Sequence, residues 1–261
     1  MKGVIIGWCV FAGVIAFAET TTAANCERIV LTGHPDYPPI IWTEGKTLDG
    51  LPTRIFQKLG QESNLQVQVV NPGSWKNALA AAKSGEADAI AGVIATEDRR
   101  RWLELISPAY LENTISVIVP RARSFKFSSR EDLIGRKGVV TRGESFGDDL
   151  DRFVNERLKV IRTEGSSQAF DTLLAGKADF LIGGTYPALG AAFSKGVGEE
   201  MLVLKPALVT SDVFLAFSKE SPCRGLAGKF GKRIAEMKSS GEIGHMQQQA
   251  MRDWIARRKD K

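Results

Sequence analysis

The chain has 261 residues, of which 43% are hydrophobic and 25% charged, and its formal net charge is +5. These fractions are typical of a soluble globular protein and exclude a disordered, collagen-like or coiled-coil chain. Its 35 basic residues are scattered apart from Arg99–Arg101 and the C-terminal tail, and neither run has the aromatic interleaving of a nucleic-acid binder, so we expect no nucleic-acid partner.

Residues 1–24 have the layout of a secretory signal peptide. Lys2 precedes an uncharged stretch that ends at Ala18, which is shorter than the roughly 20 apolar residues of a membrane-spanning helix. Cleavage after Ala18 and cleavage after Ala24 both fit the small residues that a signal peptidase requires, and the sequence does not choose between them. We therefore expect export to the periplasm.

Export also affects how the cysteines are interpreted. Cys9 lies within the predicted signal, which leaves Cys26 and Cys223 in the mature chain. In an oxidising compartment these two residues can form a disulfide, or they can stay as separate thiols. The residues alone leave both possibilities open.

Strand-like and helix-like segments alternate after the signal. The first half is predicted to contain strands over 28–32, 65–70 and 88–94 and helices over 51–63 and 75–83, the second of which Ser74 would cap. Strand–helix–strand alternation is typical of an α/β architecture with a largely parallel sheet.

The pattern restarts in the second half of the chain. Strands are predicted over 116–119, 137–141, 159–162, 179–182 and 213–217, and helices over 130–134, 146–157, 167–174, 224–238 and 243–255. Two similar α/β sets, with the last helices returning after the second set, predict one lobe interrupted by another, and segments 113–119 and 211–217 would cross between them. Ligands of α/β sheets bind beyond the carboxyl ends of strands, so facing lobes predict a cleft.

Several short motifs occur in the order and spacing of a known family. They are Tyr37-Pro38-Pro39, Leu48-Asp49-Gly50, Ser74-Trp75, Gly85-Glu86-Ala87-Asp88, Thr96-Glu97-Asp98-Arg99, Ser107-Pro108-Ala109-Tyr110, Asp132-Leu133-Ile134-Gly135-Arg136-Lys137, Leu173-Leu174-Ala175-Gly176-Lys177-Ala178-Asp179, and Gly241 with Trp254. With these motifs, the chain from about Arg28 to Trp254 resembles the extracellular (periplasmic) solute-binding proteins of ABC importers, polar amino-acid type, which form bacterial solute-binding protein family 3. The resemblance implies a bilobal periplasmic-binding-protein type II fold, in which two α/β lobes are joined by two hinge strands.

This implied fold assigns residues 25–115 and 214–261 to a discontinuous lobe 1 and residues 116–213 to lobe 2. Cys26 and Cys223 then belong to the same lobe, so a disulfide between them becomes the expectation and would not obstruct the hinge. The resemblance further implies a monomer that passes a small-molecule ligand to the membrane permease of an ABC importer, with no cofactor and no catalytic residue.

Arg99 is the expected anchor for a carboxylate of the ligand. Thr96 and Arg99 resemble the family's Thr-x-x-Arg element, whose arginine holds that group. A guanidinium suits this role because it gives two parallel charge-assisted hydrogen bonds and stays charged when it is desolvated. The spacing from Asp88 is one residue shorter than in the family, so Arg100 stays open as the binder, and a purely surface role for Arg99 is the alternative.

Other predicted contacts come from aromatic and backbone groups. Tyr37 and Trp75 resemble the two aromatic positions that sandwich a ligand side chain, although a buried Trp75 that serves only the core is the alternative. Gly143, Ser145 and Phe146 are predicted to open a lobe 2 helix, whose free N–H groups and positive dipole end would bind an anion.

Two positions depart from the family's amino-acid pattern. Gly184 stands where members that bind α-amino acids usually keep an aspartate for the ammonium group, and Ile94 stands where a hydroxyl residue is common. A buried ammonium without partners is costly. The expected ligand, which would contact Gly184, is therefore a small carboxylate that is amino-acid-like or lacks the amine, and a larger ligand that is held differently is the alternative.

Two alternatives to a transport-related binding protein stay open. One is a periplasmic enzyme on the same fold, resembling the cyclohexadienyl dehydratases, for which Glu144 or Asp148 would have to serve as general acid. The other is a ligand-sensing subunit of a receptor. His34 is interpreted as a loop residue and His245 as a surface residue, and no metal site is predicted.

Overall fold

The computed structural model describes residues 26–257 of the chain. The signal peptide predicted for residues 1–24, with its alternative cleavage sites after Ala18 and Ala24, lies outside the described residues. Between residues 26 and 257, none of the helices combines the length and apolar character needed to cross a bilayer.

Of the residues that the structure describes, residues 26–120 form seven strands and three helices. They are β1 (Arg28–Gly33), β2 (Asp36–Tyr37), β3 (Ile41–Glu44), β4 (Thr47–Gly50), α1 (Leu51–Gln61), β5 (Gln66–Val69), α2 (Trp75–Ser84), β6 (Ala89–Ile94), α3 (Glu97–Trp102) and β7 (Leu103–Pro120). Helix α2 begins where the sequence predicts, because the hydroxyl of Ser74 accepts a hydrogen bond from the N–H of Asn77.

Residues 121–257 form five further strands and five helices. They are β8 (Lys137–Thr141), α4 (Asp148–Arg157), β9 (Lys159–Thr163), α5 (Ser166–Leu174), β10 (Phe180–Gly184), α6 (Thr185–Ser194), β11 (Met201–Val203), β12 (Val209–Ser218), α7 (Ala227–Ser239) and α8 (Glu242–Arg257). Short 3-10 turns occur at Arg121–Arg123, Arg130–Leu133, Gly198–Glu200 and Arg224–Leu226.

Nine strands from both of these segments form one sheet in the order β5-β1-β6-β12-β7-β10-β8-β9, and the ninth strand, β11, pairs with β7. Strand β1 is parallel to β5 and β6, and β8 is parallel to β9 and β10. The parallel pairing expected from the strand–helix alternation is therefore present twice, once in each set of three strands. A separate three-stranded antiparallel sheet, β2-β3-β4, follows β1.

Strands β7 and β12 lie between these two sets of parallel strands. They pair antiparallel from Leu103 opposite Ser218 to Ile115 opposite Val209, with a shift in register between Val213 and Leu215. They lie in the positions predicted for the two crossing segments. The lobe boundaries predicted at 115/116 and 213/214 fall inside these strands and stay a prediction.

The hydrophobic core is divided in the same way. Two clusters consist of residues from 29–110 and 213–250, which together make up the first half of the molecule. Two others consist of residues from 115–204, which make up its second half. In the first cluster the rings of Phe56, Phe217 and Phe230 contact one another with centroids 5.4 to 5.6 Å apart. The predicted disulfide is present, and its residues Cys26 and Cys223 belong to this first cluster.

The prediction for the start of α4 is wrong by two residues. The helix begins at Asp148 and not at Phe146, because Gly147 has a φ of 103°, outside the helical range. Gly143, Ser145 and Phe146 therefore lie in a loop before the helix. The strands β2–β4 and the helices α3 and α6 were not predicted.

Candidate functional site

A cavity of about 60 Å³ lies where the ends of β1, β6 and β7 meet the loop before α4. Its aromatic and polar lining comes from His34, Tyr37, Trp75, Arg99, Tyr110, Asn113, Glu144 and Ser145. Its apolar lining comes from Ile40, Ile41, Ala91, Ile94, Leu111 and Val213, with Gly92 between them. Both halves of the molecule thus contribute to one partly open cavity.

Arg99 is a buried cation with 6% of its surface exposed. Its Nη1 donates to the carbonyl oxygen of Ile94 at 2.9 Å, and its Nη2 donates to that of Gly143 at 3.1 Å. It forms no ion pair with any residue between 26 and 257. Burial lowers the pKa of the guanidinium, and the negative charges of Asp151, Asp98 and Glu144 oppose this effect. A buried charge without a charged partner is energetically unfavourable, so the site favours an added anion.

The structure distinguishes the two arginines that the sequence left open. Arg99 lines the cavity, whereas Arg100 is exposed and its carbonyl oxygen accepts a hydrogen bond from Nζ of Lys219. Thr96 caps α3 by accepting the N–H of Arg99 at 3.1 Å. The Thr-x-x-Arg element thus turns Arg99 inward through local helix capping.

Tyr37 and Trp75 both line the cavity, as predicted for the two aromatic residues. However, the ring that lies against both of them belongs to His34. Its centroid is 5.2 Å from that of Trp75, in stacked geometry, and 5.1 Å from that of Tyr37. The guanidinium of Arg99 lies 5.7 Å from the Trp75 centroid. Trp75 is therefore shared between the histidine and the arginine.

His34 lies in the loop between β1 and β2, as the sequence suggested, but its side chain is buried and lines the cavity. It is 6% exposed, and its Nδ1 accepts the N–H of Asp36 at 3.1 Å. Burial lowers its pKa to about 3, so the ring is neutral at ordinary pH and carries its proton on Nε2. Within the described part of the chain, this buried Nε2 has no hydrogen-bond partner. The one sequence signal for it was its position immediately after β1, at the carboxyl end of a strand.

Two tyrosine hydroxyls in the lining differ in their partners. The hydroxyl of Tyr37 accepts from Nδ2 of Asn113 at 2.8 Å and from the N–H of Gly184. Tyr110 is 3% exposed and its hydroxyl has no partner. Burial raises the pKa of both phenols, so each keeps its proton.

Gly184 has a steric reason for lacking a side chain. A Cβ at this position would collide with the hydroxyl of Tyr37 and would lie 2.8 Å from Oδ1 of Asn113. The Tyr37–Asn113 pair therefore occupies the space into which an aspartate at 184 would extend. Gly184 lines a smaller adjacent cavity together with Tyr37 and Glu144.

Glu144 places a carboxyl group in the cavity wall. Burial, reinforced by the negative charge of Asp36 and opposed by Arg99, raises its pKa to about 8. At neutral pH the side chain is therefore mostly protonated. In the sequence it was named only as an available acid for the enzyme alternative.

The loop before α4 differs from the anion site that was predicted. The N–H of Phe146 donates to Oδ1 of Asp151 at 2.7 Å, and the hydroxyl of Ser145 donates to Oδ2 of the same residue. The N–H of Phe146 is therefore not free for a ligand. Gly143 presents its carbonyl oxygen, not its N–H, to Trp75 Nε1 at 3.0 Å and to Arg99.

The predicted site residues are therefore partly brought together. Tyr37, Trp75, Arg99 and Ser145 line the cavity, and Gly143 and Thr96 line a shallower depression beside Arg99. Phe146 packs in the core of the second half. Between residues 26 and 257, no group of three or more His, Cys, Asp and Glu side chains is arranged to hold a metal ion.

Residues 29–253 match the family described as bacterial extracellular solute-binding proteins, family 3. None of the curated proteins compared with the chain matches it.

Several solved structures share the fold. AbpA from Streptococcus pneumoniae, an amino acid ABC transporter substrate-binding protein bound to L-arginine, is 20% identical, with a TM-score of 0.74, 88% of this chain covered and 96% of that one. A variant of ArgBP from T. maritima is 19% identical, with a TM-score of 0.72 and the same two coverages. A histidine kinase sensor domain is 19% identical, with a TM-score of 0.73, 86% of this chain covered and 96% of that one. At these identities the similarity establishes the fold alone.

Proposed function

The chain belongs to the bacterial extracellular solute-binding proteins of family 3, and from this membership we propose that it captures a small carboxylate, amino-acid-like or amine-free, in the cavity around Arg99. The bilobal type II fold predicted from the sequence is confirmed by the family match and the similar structures.

The observation that carries the proposal is the unpaired charge of Arg99. Its two hydrogen bonds go to neutral carbonyl oxygens, so the charge is solvated but not neutralised. The guanidinium has further N–H donors that these bonds do not use. A ligand carboxylate would supply both the missing negative charge and a planar acceptor.

Contacts between the two halves support capture by closure. Trp75 and Arg99 donate to Gly143, and the N–H of Glu97 donates to Oδ2 of Asp148 at 3.1 Å. A ligand in the cavity would touch residues of both halves. Such a ligand favours the closed form by the contacts that it makes only there.

Delivery to the permease of an ABC importer is the proposed purpose of binding. We propose that the mature protein is a periplasmic monomer, exported by the signal at residues 1–24. Support comes from AbpA, which is described as a substrate-binding protein of an amino acid ABC transporter. The histidine kinase sensor domain of the same fold supports signalling as the alternative, and a neighbouring permease gene would favour delivery.

Glu144 favours one further candidate function. A carboxyl group with its pKa raised to about 8 beside a buried arginine suits a general acid at neutral pH. The family is, however, described as one of solute-binding proteins, and AbpA as a substrate-binding protein. We therefore propose a binding protein without catalysis, and an assay of prephenate turnover with wild type and Glu144→Gln would detect an enzyme.

The proposal is tested by thermal melting of unfolded and refolded mature protein against amino acids and organic acids. A ligand at a thousand times its Kd is expected to raise the melting temperature by roughly 8 to 16 °C. Arg99→Ala should weaken binding by about 2–5 kcal/mol, because it removes the charge partner of the carboxylate. Arg100→Ala is the matched control and should bind like wild type. Equal binding by Arg99→Ala would refute the proposal.

A further inference from the structure

Two buried polar groups of the cavity lining lack hydrogen-bond partners among residues 26–257, and neither belongs to the predicted ligand contacts. They are Nε2 of His34 and the hydroxyl of Tyr110, on residues that are 6% and 3% exposed. Buried donors almost always find an acceptor in folded proteins. Two such groups around one cavity indicate that a ligand supplies the acceptor.

The direction of the His34 hydrogen bond follows from its other nitrogen. Because Nδ1 accepts the N–H of Asp36, that nitrogen carries no proton. The neutral ring therefore has its proton on Nε2, which can only donate.

Tyr110 offers a donor as well, since burial keeps its phenol protonated. Gly92 leaves the space beside this hydroxyl open, because a Cβ at Gly92 would lie only 3.1 Å from the oxygen. Both Gly92 and Tyr110 line the cavity.

The same cavity offers little to an ammonium group. The Tyr37–Asn113 pair fills the space beside Gly184, so no acid is present there. Glu144 has no hydrogen bond to its carboxyl group and is mostly protonated at neutral pH. Arg99 already contributes one buried positive charge, and a second cation nearby would be repelled.

We propose that the cavity selects acids that bear a neutral oxygen on the carbon next to the carboxylate, as 2-oxo and 2-hydroxy acids do, over the matching α-amino acids. His34 Nε2 and the Tyr110 hydroxyl would donate hydrogen bonds to that oxygen. The proposal rests on carboxylate binding by Arg99. Arg99, His34 and Tyr110 all line this one cavity, so a single small ligand would contact all three side chains.

Matched acids of equal length provide the test. Titration calorimetry of refolded mature protein would compare pyruvate and lactate with alanine and with propionate, and then glyoxylate and glycolate with glycine and acetate. We expect the oxo or hydroxy acid to bind about tenfold or more tightly than the amino acid and the unsubstituted acid.

Two variants assign the donors. Tyr110→Phe and His34→Phe keep an aromatic ring and remove the donor group, so each should reduce the ratio of lactate or pyruvate affinity to propionate affinity. Tyr186→Phe, at a residue that is 57% exposed, is the control. Circular dichroism would verify that each variant is folded.

The possible results separate this inference from the proposed function. If alanine or glycine binds through Arg99 as tightly as its oxo and hydroxy analogues, the inference is wrong and carboxylate capture stands. Equal affinity for propionate and lactate, or an unchanged preference in both donor variants, also overturns the inference. If none of these acids binds and Arg99→Ala behaves like wild type, both proposals fail.

Discussion

Glu144 lines the cavity, and the effect of its protonation on the unfolding free energy can be tested without a ligand. In the folded protein its pKa is raised to about 8, whereas in the unfolded chain it is near the ordinary value of 4.5. Between these values the native state holds a proton that the unfolded state lacks. The unfolding free energy therefore decreases as pH rises through this range.

His34 has the opposite effect at lower pH. Its folded pKa is lowered to about 3 from an ordinary value of 6.5, so the unfolded state holds the extra proton and stability is lost as pH falls below 6.5. The two effects overlap between pH 4.5 and 6.5. The range from pH 6.5 to 8 therefore isolates Glu144 from His34.

We predict that Glu144→Gln removes the decrease in stability above pH 6.5, which in wild type has a slope of at most about 1.4 kcal/mol per pH unit. Asp36, Arg99 and Tyr37 also face this carboxyl group and are present in both proteins. Urea unfolding at several pH values would measure the slope. The exposed Glu156→Gln variant should keep it, and a slope that persists in Glu144→Gln would contradict the assignment.

At the level of single residues, sequence reasoning identified what a motif encodes. Arg99 was predicted because Thr96 and Arg99 resemble the family's Thr-x-x-Arg element, and the glycine at 184 was noted as a departure from the family's pattern. The steric cause of that departure could not be seen, since Tyr37, Asn113 and Gly184 are far apart in the chain and meet only in the fold. His34 was missed for the same reason, because its burial depends on Trp75 and Tyr37.

At the level of elements, the loop before α4 links the two halves through one carbonyl oxygen. Gly143 accepts from Trp75 Nε1 at 3.0 Å and from Arg99 at 3.1 Å. The Asp151 carboxylate holds the loop in place through Ser145 and Phe146. This loop therefore couples the position of α4 to the cavity.

We predict that Trp75→Phe weakens closure, since it keeps the ring beside His34 but removes the N–H that binds Gly143. The expected loss in unfolding free energy is about 0.5–1.5 kcal/mol, and the radius of gyration of the ligand-free protein should rise. Urea unfolding and small-angle X-ray scattering would measure the two effects. Trp102→Phe is the control, because that indole N–H bonds to Asp98 within α3. Similar scattering from both variants would count against a linking role for Trp75.

Long periodic elements were predictable and short ones were not. Helix α2 was predicted over 75–83 and is observed over Trp75–Ser84, because its cap Ser74 and the glycine at 85 that follows it are local signals. Helix α3 has six residues, too few to show a helical period. The strands β2–β4 are two to four residues long, and they pair with one another through contacts that no local pattern specifies.

At the scale of the whole molecule, the two halves share the β7–β12 pair and keep separate hydrophobic clusters. This organisation allows the halves to move while each core stays packed. The two-lobe interpretation followed from the restart of the strand–helix pattern, which is a global feature of the sequence. The depth of the cavity could not be predicted, because it depends on how closely the loop before α4 approaches Trp75.

The Cys26–Cys223 disulfide belongs to the stability of the whole chain and not to the cavity. It joins residues 197 positions apart, both in the cluster of the first half, and neither lines the cavity. Constraint of so long a loop in the unfolded state stabilises a protein by about 2–5 kcal/mol. We predict that the Cys26→Ser, Cys223→Ser double variant loses unfolding free energy of this size. Its affinity for the best carboxylate ligand should stay within about twofold of the wild-type affinity, because a crosslink confined to one half leaves closure unaffected. Urea unfolding and calorimetry on the same preparation would measure both quantities. A folded double variant with strongly reduced affinity would mean that the disulfide also positions the binding residues.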